Sequence, residues 1–89
     1  MTVKTDHGQF EVSDITFAQR RAMHRIEIGA VQGSEDVDPV KFYELLEHVR
    51  EIAFGDDAEK HLSKLNDNEI DAVLIAIYNA YREGVSKKK

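Results

Sequence analysis

Four histidines, His7, His24, His48 and His61, are the side chains best suited to bind a metal or move a proton near neutral pH. Their spacing supports neither use. Two histidines that share a metal on one helix face sit about three or four positions apart, and no two of these do. Glu44-x-x-x-His48 can bring a carboxylate beside an imidazole, but it lacks a third ligand and reads more simply as a surface hydrogen bond. The chain has no cysteine, which excludes thiolate catalysis, a thiolate zinc site and disulfides, and fits a reducing cytoplasm. No serine stands in a Gly-x-Ser-x-Gly turn, and no glycine-rich loop could cradle phosphates. Carboxylates are plentiful in the middle third, but on a solvated helix face burial cannot drive two of their pKa values apart. The residues therefore describe a protein with no catalytic site, no metal and no cofactor.

The elements that must position any other function fit one domain, since 89 residues bury a modest core. Hydrophobic residues at 42% and charged residues at 33% predict a folded chain. Residues 1–86 are assigned to that domain and the terminal Lys87-Lys88-Lys89 to a disordered basic tail. The N-terminus does not read as a secretory signal and no apolar run could span a bilayer, so a cytoplasmic protein is expected. Net charge is −5, with nine acidic against three basic residues between positions 31 and 60. That distribution argues against direct nucleic-acid binding, which needs a continuous basic face.

The pattern predicts a mainly α fold of about four helices behind a short N-terminal β-hairpin. Residues 3–12 alternate around Gly8, with Val3, Phe10 and Val12 leaning on helices. Thr16-x-x-Gln19 is a capping box opening a first helix to about Ala30. Ala22, Met23, Ile26 and Ala30 form its apolar stripe, and Phe17, Arg21, His24 and Ile28 form a second, mixed one. This second stripe suits either a partner protein or the N-terminal hairpin. Val31 to Asp38 reads as the main loop. Asp38-Pro39 then opens a second helix that ends near Phe54 with Gly55 as its stop. Its apolar side runs from Phe42 to Ala53, and Glu44, Glu47 and Glu51 make an acidic ridge for which an ordinary solvated face is the preferred reading. Asp56-x-x-Glu59 and Asn66-x-x-Glu69 are two further capping boxes. The first opens a short helix carrying Leu62 and Leu65, and the second a long one running to Gly84. On that last helix Ile75 and Tyr78 fall off the main apolar row, as added core or as an interface.

Three segments, Asp14-Ile15-Thr16-Phe17-Ala18-Gln19-Arg20-Arg21-Ala22-Met23-His24-Arg25, Asp38-Pro39-Val40-Lys41-Phe42-Tyr43-Glu44-Leu45-Leu46 and Leu62-Ser63-Lys64-Leu65-Asn66-Asp67-Asn68-Glu69-Ile70-Asp71-Ala72-Val73, together resemble the small tail assembly chaperones of tailed bacteriophages. The resemblance spans most of the chain and lies in patterns: a short extended start, a "T-F" helix opening with a basic turn, and a closing "L-S-x-L-x-x-x-E-I-D" helix. It implies a non-enzymatic protein of the host cytoplasm that binds the tape measure protein, keeps it soluble and helps recruit tail tube subunits. It also implies a longer form made by ribosomal frameshifting, with which the terminal lysines are compatible. On this reading Phe17, Arg21, His24, Ile28, Ile75 and Tyr78 hold a partner helix, and self-association stays open. The rival reading is an acidic inhibitor that covers a host enzyme's basic nucleic-acid groove with Glu44, Glu47 and Glu51.

Overall fold

The computed structural model describes residues 1–32 and 36–87. In chain order it comprises β1 (Thr2–Thr5), β2 (Gly8–Glu11), α1 (Phe17–Ala30), β3 (Val31–Gln32), β4 (Asp36–Val37), α2 (Pro39–Phe54), a 3-10 turn (Gly55–Asp57), α3 (Ala58–Leu62) and α4 (Asp67–Lys87). This is the expected mainly helical domain with an N-terminal hairpin: three long helices, one short one and two small ribbons.

Strands β1 and β2 pair antiparallel with Val3 opposite Phe10 and Thr5 opposite Gly8. Gly8 takes a φ of +122°, a value side-chain-bearing residues avoid. A two-stranded ribbon is marginal alone, and this one is held from outside. Val3 and Val12 are buried, β1 lies against α4, and the Phe10 ring meets Phe54 edge-on at 6.2 Å.

Helices α1, α2 and α4 begin where their polar signals stand. Thr16 Oγ1 accepts from the Gln19 amide at 3.1 Å, while Gln19 Oε1 accepts from the Thr16 amide at 2.9 Å; Asn66 and Glu69 exchange the same pair of bonds ahead of α4. Asp38 accepts from the amides of Val40 and Lys41, with Pro39 in the first turn of α2. Gly55, at φ +57°, ends α2 and donates its amide to the Glu51 carbonyl.

Three sequence expectations need correction. The capping box at Asp56 does not form: residues 55–57 wind into the 3-10 turn, α3 starts only at Ala58, and the preceding Asp57 makes no side-chain cap bond. The stretch read as the main loop is pinched by a second ribbon, in which Val31 faces Val37 and Gln32 faces Asp36. The Asp38 amide donates to the Ala30 carbonyl at 2.9 Å beside it, while Gly33, Ser34 and Glu35 of that loop lie outside the described residues. Finally, α4 does not stop at Gly84 but continues to Lys87, taking in one residue of the expected tail; Lys88 and Lys89 lie outside the described residues.

The core is built where α2 crosses α1 and α4. Met23, Leu45, Val49, Leu74, Ile77 and Tyr81 are its largest sealed side chains. The Tyr81 hydroxyl donates to the Ser13 carbonyl at 2.6 Å, and the Ser13 amide donates to the Ala53 carbonyl at 3.1 Å. The linker between hairpin and α1 is thereby tied to α4 on one side and to α2 on the other. Burial, followed by the nearby Asp14 charge, pushes the Tyr81 phenol up to about 12.

Candidate docking face

Helix α1 turns about 100° per residue, so Phe17, Arg21, His24 and Ile28 share one face. All four are exposed, with Phe17 at 73% and Ile28 at 59%. The opposite face, led by Met23 and Ala30, is buried. Because the hairpin packs on α4 instead, the alternative that it covers the mixed stripe does not hold.

Ile75 and Tyr78, the two α4 residues expected to hold a partner, fall elsewhere. Ile75 is half-buried in an apolar groove of about 380 Å3 with Pro39, Phe42, Tyr43, Leu46 and Asp71, and none of these residues belongs to the α1 face. Tyr78 is core: only 7% of it is exposed. Its hydroxyl donates to Glu27 on α1, and the Arg82 guanidinium lies 5.5 Å from its ring centroid. The extra apolar surface of α4 is therefore divided between core and groove, and of the six residues named from the sequence only Phe17, Arg21, His24 and Ile28 share one exposed face.

Beside that face lies a polar cluster the sequence reading did not single out. Glu27 Oε1 is 3.2 Å from His24 Nδ1 and Oε2 is 3.5 Å from Arg82 Nε, in addition to the Tyr78 hydroxyl. Burial raises the Glu27 pKa, but the bonds from Tyr78 and His24 and the charge of Arg82 outweigh it and hold this carboxyl below its usual range. Burial, then the Glu27 bond, pushes the Tyr78 phenol well above its ordinary value. Arg20, Met23, His24, Glu27 and Arg82 together line a pocket of about 260 Å3. The row Arg20-x-x-x-His24-x-x-Glu27 was readable as one helix side; Arg82, from a helix far along the chain, was not.

The acidic ridge is less acidic than its sequence. Glu44 and Glu51 are exposed, but Arg50 bonds Glu47 through Nε at 2.9 Å and approaches Glu51 through Nη2 at 3.6 Å. The ordinary reading of Glu44-x-x-x-His48 as a bonded pair also fails, since no hydrogen bond joins them among the described residues and His48 Nε2 is buried without a partner. Among the described residues no three His, Cys, Asp or Glu side chains are grouped to hold a metal ion, and no helix is long and apolar enough to cross a membrane. No protein-family model matches this chain, nor does any curated protein or solved structure.

Proposed function

We propose that this chain is a non-enzymatic assembly chaperone of the kind tailed bacteriophages make, which holds a helical stretch of the tape measure protein on the exposed face of α1 and helps bring tail tube subunits to it. The observation that carries the proposal is the pairing of Phe17 and Ile28, two large apolar side chains left in water at the two ends of one helix face. An unpartnered aromatic and an isoleucine flanking Arg21 and His24 give the mixture of anchor and polar rim found where proteins meet. The resemblance of the three segments to tail assembly chaperones supplies the kind of partner.

Coexpression with a tape measure protein tests it. Wild-type chain should keep the tape measure soluble and copurify with it, whereas Phe17→Ser with Ile28→Ser should lose both effects. Both side chains are exposed, so the double variant should stay within about 0.5 kcal/mol of wild-type stability for each substitution. Tape measure protein that stays soluble without this chain, or with the double variant, would count against the proposal.

A further inference from the structure

The pocket beside the candidate docking face is lined in part by Arg20, whose side chain has no hydrogen bond or ion pair among the described residues. Arg20 Nε is buried and has no hydrogen-bond partner among the described residues. A guanidinium with no acceptor of its own is a ready partner for an incoming carboxylate. Glu27 does not bond Arg20; its two oxygens meet His24, Arg82 and Tyr78 instead. The pocket therefore holds two guanidinium groups and an imidazole against a single, engaged carboxylate.

We propose that this pocket receives the carboxylate of an aspartate or glutamate side chain on the apolar segment that docks along α1; the inference rests on the docking reading above and adds the charge of the segment. His24 connects the two sites, standing both in the row from Phe17 to Ile28 and in the pocket wall. Charge complementarity favours an acidic guest, since α1 carries Arg20, Arg21 and Arg25 against Glu27 alone in a chain whose net charge is −5. The basic face would draw the acidic segment to itself while the rest of the surface repels it, which fixes orientation as well as affinity. A carboxylate suits the pocket better than a phosphate. It accepts the planar fork of a guanidinium with one negative charge, whereas a dianion would have to sit against Glu27. The anchors set the spacing: Phe17 and Ile28 are separated by about 16 Å of helix, so a guest helix lying along α1 needs two apolar side chains about three turns apart and the acidic one between them.

The probe is a synthetic helical peptide of about 15 residues, near the length at which an isolated helix holds in water, with a leucine near each end and one glutamate midway. A matched peptide carries glutamine there. Titrated into the full chain, the glutamate peptide should bind about tenfold more tightly than its match, the worth of one charge-assisted bond. The preference should vanish in Arg20→Gln, with Arg20→Lys keeping part of it, and the Arg20 Nε–H resonance should move on binding. Equal affinity of the two peptides, or a preference that survives Arg20→Gln, overturns the pocket. Equal binding that Phe17→Ser with Ile28→Ser abolishes would overturn the pocket while leaving the docking face standing. If neither peptide binds, acetate decides at fixed ionic strength: a saturable shift of the Arg20 Nε–H supports a carboxylate pocket without the docking face, and a response no larger than that to chloride overturns both. A stronger response to inorganic phosphate than to acetate would overturn the carboxylate assignment.

Discussion

Glu27 joins α1 to α4 through its side chain alone, and its protonation is coupled to the stability of that joint. Its carboxyl titrates below the ordinary value of 4.5 in the folded protein. The stabilisation it supplies is therefore complete above pH 4.5 and fades as pH falls through the lower folded value. Replacing Glu27 with Gln should flatten the acid limb of stability, measured by urea unfolding over a pH series; an unchanged limb would mean other carboxylates carry it. Tyr78 shifts the opposite way, its folded value rising from the ordinary 10, so its contribution is present below pH 10 and is lost as pH rises through the folded value. Tyr78→Phe removes a bond to a charged acceptor and should cost about 1.5–3 kcal/mol. In the Glu27→Gln background the same change should cost less, a coupling that a double-mutant cycle reads directly. At this scale the exposed row on α1 was legible because four residues at helical spacing cannot hide from one another. The Glu27 cluster was not, because Tyr78 and Arg82 reach it only after the whole chain has folded.

Among the elements, the sequence spoke clearly wherever a cap was made of local bonds. Asp38 bonds two amides within three residues of itself, and Thr16 and Asn66 each close a four-residue box. The box at Asp56 has the same spelling and does not form, because Gly55 at φ +57° and ψ −129° turns the chain out of α2 into a 3-10 turn that uses Asp56 and Asp57 as its body. The distinction is measurable. Asp38→Ala should cost about 1 kcal/mol, while Asp56→Ala should stay within about 0.5 kcal/mol of wild type, both by chemical denaturation. Equal losses would show that Asp56 caps α3 after all. The β3–β4 ribbon lay beyond sequence reading for a different reason: its strands have two residues each, too short to display any alternation.

Across the whole molecule the two charged surfaces lie on different helices, and only one belongs to the proposed partner. Glu44→Lys, Glu47→Lys and Glu51→Lys together should leave peptide and tape measure binding within about threefold of wild type, because side chains remote from a contact contribute chiefly through screened charge. A complete loss of binding would transfer the docking function to α2 and favour the acidic-inhibitor reading. The packing of the hairpin on α4 rather than on α1 leaves the α1 face free, and that choice is a long-range one that no local pattern in residues 1–30 contains. The double tether at Ser13, to Ala53 and to Tyr81, then has a kinetic meaning. It anchors the entry to α1 to both of the long helices behind it, so an incoming segment meets a face already set at its final angle, with no slow opening ahead of capture. Association followed by stopped flow should accordingly show a single phase whose rate climbs in proportion to peptide concentration, and cutting one arm of the tether with Tyr81→Phe should bring in a rate ceiling.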